Sequence, residues 1–264
     1  MKKHRYIAIV AGLLMATVFG NATPADDPPN AAELVTRAGK AVDEFLQDFS
    51  SVKCTEKVMQ ARLNEKGKAV SSKETAYDYL VMFDTQAGNV QFQESRLAMQ
   101  ESKHREKMPL LVTNGFSALL LIFHPEYQSS FSYELAGREG ESGRALSKIH
   151  FRHLAGMRSP IGLLLKNREF PLRLEGDAWL DESSGVITRI QASLAESLED
   201  IGVRQFRSEV RYSGVNFSGA AVAIWLPAAA QIELATARNQ WRNQHTFSDY
   251  KLFSVRTETK VTPP

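Results

Sequence analysis

Polar and apolar positions follow three rhythms along the chain. From Tyr6 to Phe19 the residues are apolar without a period, behind the basic head Lys2, Lys3 and Arg5. From Ala31 to Asp48 the spacing predicts a helix. Leu34, Val35, Ala38, Val42, Phe45, Leu46 and Phe49 recur every three or four residues, with Asn30 at the N-cap position. After Val52 the period falls to two. Strands are predicted over 52–63, 75–84, 90–99, 130–135, 145–154, 172–180, 186–194, 203–212, 229–237 and 240–261. The second-last of these follows Trp225-Leu226-Pro227, which marks its start. Two short helices interrupt the series. One opens at Thr113-Asn114-Gly115, carries Phe116, Leu119, Leu120 and Phe123, and ends at Pro125. The other opens at Ser159-Pro160, an N-cap serine with proline at N1, and runs through IGLLLKN. The charged run 101–107 and the glycine-rich stretch 137–143 read as loops.

No β-α-β alternation is present, so the sheet should be antiparallel. An open antiparallel sheet has one face to bury, and three helices are available to cover it. The expected architecture is mainly β with α. It is a single curved antiparallel sheet of about ten strands, an open half-barrel covered by an N-terminal helix and short lid helices. Residues 31–264 are expected to form one domain, after a proline-rich leader at 23–30.

The opening run fits a secretory signal peptide. Its apolar stretch of about fourteen residues is short for a bilayer span of roughly twenty, and Gly20-Asn21-Ala22 supplies small residues for cleavage after Ala22. A periplasmic or secreted location is therefore expected. Cleavage removes three cations and no anion, taking the formal net charge from +2 to −1. A near-neutral mature chain gives no electrostatic case for nucleic acid. Cys54 is the single cysteine, so no internal disulfide can form. Its place in a predicted strand reads as a small buried apolar residue, with Lys53 and Lys57 on the opposite face.

The sequence offers little chemistry. His150 and His153 are the close histidine pair, but three residues apart on a strand they face opposite sides. No Gly-x-Ser-x-Gly elbow or phosphate-cradling glycine loop occurs, so neither an enzyme nor a cofactor is expected. The apolar lids are the candidate feature. Phe116, Leu119, Leu120, Phe123, Leu163, Leu164 and Leu165, with Trp179, are candidates to line an apolar cavity between lids and sheet. The alternative is that the lid residues fill the core and leave no cavity.

One hairpin carries a resemblance. Gly176-Asp177-Ala178-Trp179-Leu180-Asp181, Ser184-Gly185 and Arg189 fit the pattern G-x-x-W-[LI]-D-x-x-[TS]-G-x-x-x-R. That pattern resembles the hairpin of LolA/LolB-like lipoprotein carriers and RseB-like domains. Ser159-Pro160-Ile161-Gly162-Leu163-Leu164 is similar to the short helix that interrupts the sheet in the same proteins, while Trp225-Leu226-Pro227 with the strand after it, and 247–253, resemble the closing strands of other exported proteins with that fold. The charged run 101–107 and the segment 195–203 depart from the pattern. The resemblance implies an eleven-strand open barrel with helical lids and an apolar cavity. The function expected is an exported binding protein holding an acyl chain, a lipid or a lipoprotein-like apolar ligand. The alternative is a cell-envelope interaction or sensor module that binds a protein partner.

Overall fold

The computed structural model describes residues 29–49, 52–86, 89–99, 116–141, 143–165, 168–218 and 223–252. The expected signal peptide, the 101–107 loop and the last predicted residues, 253–261, lie outside them. Ten strands form one antiparallel sheet in the order β3-β2-β1-β12-β11-β10-β9-β8-β5-β4, which does not close on itself. Its strands are β1 Val52–Leu63, β2 Ala69–Gln86, β3 Asn89–Ala98, β4 Phe131–Glu141, β5 Arg144–His153, β8 Leu174–Asp181, β9 Ile187–Leu194, β10 Val203–Val215, β11 Ile224–Thr236 and β12 Gln240–Leu252. Each sequential neighbour is a hairpin partner except where β1 meets β12 and β5 meets β8. The result is an open half-barrel, as the alternation predicts.

Helix α1, Ala31–Phe49, lies on the concave face and touches β2, β4 and β11. Its start is capped reciprocally: Glu33 N–H donates to Asn30 Oδ1 (3.0 Å), and Asn30 N–H to Glu33 Oε2 (3.4 Å). Leu34, Val35, Ala38, Val42, Phe45, Leu46 and Phe49 are all buried, so the predicted face is the one that docks. The inward positions of the strands meet it: Val52 and Cys54 of β1, Ile149 and Phe151 of β5, Ala178 and Leu180 of β8, Ile190 of β9, Val210 and Tyr212 of β10. Cys54 is buried among them, and that burial pushes its thiol up to about 12.

Three expectations need correction. The first lid is a tight 3₁₀ helix, Phe116–Phe123, which ends just ahead of Pro125 as expected, but Pro125 then begins a further turn, α2 Pro125–Gln128. Leu121 and Ile122 are as buried as Leu119, Leu120 and Phe123, so residues 119–123 are covered on every side. Side chains take up its last carbonyls. Tyr133 Oη donates to Ile122 O (2.5 Å), and Gln128 Nε2 donates to Phe123 O (2.8 Å) and to Val35 O of α1 (3.0 Å). The second lid is not a helix. Gly162–Leu165 (β6) pairs with Arg168–Pro171 (β7) in a separate two-stranded ribbon. The Ser159 hydroxyl, read from sequence as a helix cap, instead donates toward Ile161 O (3.0 Å) and Leu172 O (2.7 Å), closing the base of that ribbon. The stretch 137–143 is largely strand. Gly137 to Glu141 pair in register with Lys148 to Arg144, leaving a turn in which Gly143 has φ +79°.

The hairpin β8–β9 fastens the helix to the sheet. Asp181 Oδ1 accepts from the backbone N–H groups of Ser183 (3.1 Å) and Ser184 (2.9 Å) and from both hydroxyls. The turn then closes at Gly185, φ +75°, where a Cβ would lie 2.6 Å from the Arg37 carbonyl carbon of α1. Arg37 returns a hydrogen bond to Glu182 O (2.6 Å). Replacing Gly185 with Ala should cost about 2 kcal/mol or more in urea unfolding, since left-handed strain and the clash with α1 add. Gly67→Ala has a similar φ of +71° but open space around it. It should cost only about 1 kcal/mol. Equal losses in the two variants would mean that α1 does not press on the turn.

Candidate functional site

The concave face is not uniformly apolar. On β1 the inward row reads Val52, Cys54, Glu56, Val58, and Glu56 is fully buried. Its register neighbours on the same face are Tyr77 of β2 and Phe247 of β12, with His245 one step along. His245 Nδ1 lies 2.7 Å from Glu56 Oε1. Arg96 of β3 reaches across β2, donating from Nε (2.5 Å) and Nη2 (3.1 Å) to the same carboxylate. Arg96 also donates to Glu94 (2.7 Å), which accepts from Tyr79 Oη (2.7 Å). Burial alone would push the Glu56 carboxyl up. The hydrogen bonds from His245 and Arg96 outweigh burial and hold it below the ordinary carboxylate range. The network therefore keeps a carboxylate ionised inside the fold, beyond the end of the apolar core. A polar residue in an inward phase, Glu56 between Cys54 and Val58, was the sequence signal for it.

The second feature is a groove of about 610 Å³ between the C-terminal half of α1 and the ends of the β8–β9 and β10–β11 hairpins. That size falls within the range of small-ligand sites, about 300–1,000 Å³. Its floor is apolar: Val42 and Phe45 of α1, Leu120 of the 3₁₀ helix, Ile187, Tyr212 and Ile224. Tyr212 is placed there by a β-bulge between Arg211 and Tyr212, which lies opposite Pro227 of β11. Phe45 meets its ring edge-on at 5.9 Å and 87°. Burial pushes the Tyr212 phenol up. Its hydroxyl is buried with no hydrogen-bond partner among the described residues.

The rim is polar. Glu44 and Asp48 stand one helical turn apart on α1, with Asp181, Ser183 and Ser184 across from them. Asp48 is raised above the usual carboxylate range, by burial and then by Glu44. Asp181 is held below it, because the donors of Ser183 and Ser184 outweigh its burial. Arg144 is the rim cation, stacked 4.3 Å from the centre of the Trp225 ring. With three carboxylates against one guanidinium, the mouth disfavours anions.

The sequence-predicted residues fall in different places. Leu120 lines the groove, while Leu119 and Phe123 sit in the core between α1 and the sheet. Leu163 is partly buried against that core. The side chains of Phe116, Leu164 and Leu165 lie outside the described residues. Trp179 is on the convex face, which corrects its place in the cavity set. It lies opposite Lys148 and Arg189 in register, with the Arg189 guanidinium 3.9 Å over its ring, and Nε1 donates to Glu139 (3.1 Å). His150 also faces outward, to Asp177 at 3.0 Å. His153 is buried beside Phe131, so the two do not meet. Sequence reasoning missed the groove because its lining comes from seven separate elements.

Glu56 carries the pH dependence expected here. Because its folded pKa is depressed, its stabilisation is present above the ordinary carboxylate pKa of about 4.3 and is lost as pH falls through the lower folded value. Glu56→Gln should cost about 3–5 kcal/mol at pH 7, since the Arg96 guanidinium loses its buried counter-charge. The gap between wild type and variant should close in acid, where wild-type Glu56 is also neutral. Urea unfolding followed stepwise from pH 7 into acid checks this: the gap should begin to narrow below about 4.3, and a gap that does not narrow as the pH falls would contradict it.

No protein-family model matches the chain, and a search of curated proteins also finds no match. A search of solved structures does find matches. A LolA superfamily protein from Nitrosomonas europaea has a TM-score of 0.41 at 12% identity, over 86% of this chain and 96% of that one. A DUF1329 family protein from Desulfovibrio piger has a TM-score of 0.43 at 13% identity, over 86% and 93%. A domain provisionally described as an outer membrane lipoprotein-sorting protein, from Vibrio parahaemolyticus, has a TM-score of 0.36 at 8% identity, over 85% and 95%.

Proposed function

We propose that this protein is an exported binding protein of the cell envelope that seats an acyl chain or other apolar ligand in the groove beside α1. One observation carries the reading: a groove of about 610 Å³ with an apolar, partly aromatic floor and a charged rim. An apolar floor releases water when a chain covers it, at roughly 25 cal/mol per Å². The rim residues keep the mouth wetted and fix which end of an amphiphile stays outside. The basic head, short apolar run and small residues at 20–22 support export. No helix among the described residues is long and apolar enough to cross a membrane.

The test is native mass spectrometry on protein purified from an exporting host without detergent. A solvent-extractable excess mass is expected on the wild type. Ala41, a partly exposed residue of α1, lines the groove. Ala41→Trp should plug the groove at a helix-propensity cost of only about 0.5 kcal/mol. The variant should lose the adduct and bind a fluorescent 16-carbon acyl probe at least about ten-fold more weakly, or about 1.4 kcal/mol. A wild type that binds no such probe, or a plugged variant that binds it equally well, would overturn the reading.

A further inference from the structure

Eight buried side-chain polar atoms have no hydrogen-bond partner among the described residues, and the Tyr212 hydroxyl is the one among them that belongs to the lining of the groove. Tyr133, Tyr79 and Tyr250 also carry hydroxyls inside or at the edge of the core, and each donates to a named acceptor: Ile122 O, Glu94 and Pro227 O. Tyr212 is only 6% exposed, and its hydroxyl has neither donor nor acceptor among the described residues. A buried polar group left without a partner is a net cost to the fold. Phenylalanine would fill the same space without that cost. The residue sits on the floor of the groove, so its missing partner can be supplied from outside the chain.

We infer that Tyr212 is the specificity-determining residue of the groove, and that its hydroxyl donates to the neutral carbonyl oxygen of an ester- or amide-linked acyl chain. This rests on the acyl-binding reading given above. The donor direction follows from burial, which keeps the phenol protonated. The neutrality of the ligand group follows from the rim: Glu44, Asp48 and Asp181 together outnumber Arg144, so a free carboxylate would be repelled. Phe45 lies edge-on against the Tyr212 ring and shares the floor with it. A chain entering beside α1 displaces Phe45 and brings its carbonyl to the hydroxyl. Hydrocarbon on both sides of the contact then excludes water from the hydrogen bond.

The experiment uses two neutral amphiphiles that differ in the carbonyl alone, 1-palmitoylglycerol (ester) and 1-O-hexadecylglycerol (ether). Competition native mass spectrometry measures both against wild type and Tyr212→Phe. Wild type should prefer the ester by roughly three- to ten-fold, and the variant should bind both as wild type binds the ether. The variant's Tm should equal or exceed that of wild type, because a hydroxyl without a protein partner is removed. A wild type that binds both glycerolipids equally would overturn the inference and leave the acyl-binding reading standing. So would a variant that keeps the ester preference, or one whose Tm falls, which would reveal a protein partner for the hydroxyl. A wild type that binds neither lipid would overturn the acyl-binding reading and this inference together.

Discussion

An open sheet must hide one face, and nearly everything in this molecule answers to that requirement. Ten antiparallel strands curl into a trough without closing. The cover along it is a single long helix, with a short 3₁₀ segment and a ribbon beside it. Where α1 and the 3₁₀ helix lie over the strands, the face is a continuous apolar core. The cover is narrower than the sheet, and the two features of functional interest mark where it ends. Toward β3 the concave face turns ionic, with Glu56, His245, Arg96 and Glu94 satisfying one another. At the hairpin ends it opens into the groove.

These two endings differ in kind. The ionic network has its charges matched by hydrogen bonds, so it adds rigidity to the β1–β2–β3 end of the sheet. The groove has an apolar floor and an unsatisfied hydroxyl, which describes a surface still short of contacts. Rigid strands hold the rest of the floor in place, so the rearrangement a ligand has to make is confined to the Phe45 side chain. The convex face plays a different part. Its rows of alternating charge, such as Arg189, Glu209 and Arg211, are solvent-facing pairs of small individual worth. They keep the outer face wetted.

The broad architecture was legible because period-two alternation and turn residues act locally. The β1 and β8–β9 segments follow the predicted pattern closely for that reason. The inward row Trp241, Asn243, His245 and Phe247 was also readable as one face. Leu163 to Leu165 misled, because a short apolar run fits a helix or a strand equally well and Ser159-Pro160 imitates a helix start. The glycines and glutamates of 137–143 suggested a loop, but backbone pairing with β5 prevailed over composition. Trp179 looked like a cavity residue because it is large and aromatic. Its phase, opposite to the inward Ala178 and Leu180, already put it on the other face. The groove itself could not be read from the chain, since Phe45, Leu120, Ile187, Tyr212 and Ile224 become neighbours only after the half-barrel forms.

The turn at Asp181–Gly185 has a thermodynamic consequence. It grips α1 through Arg37, while Asp181, Ser183 and Ser184 of the same turn stand on the rim of the groove. The opposite wall is α1 itself. Helix seating and groove occupancy are therefore linked functions of one equilibrium. Any molecule that binds only the seated form strengthens the attachment of α1 in proportion to its own saturation. The backbone amides of that helix, which touch no cargo directly, would exchange with solvent at a rate set by how full the groove is.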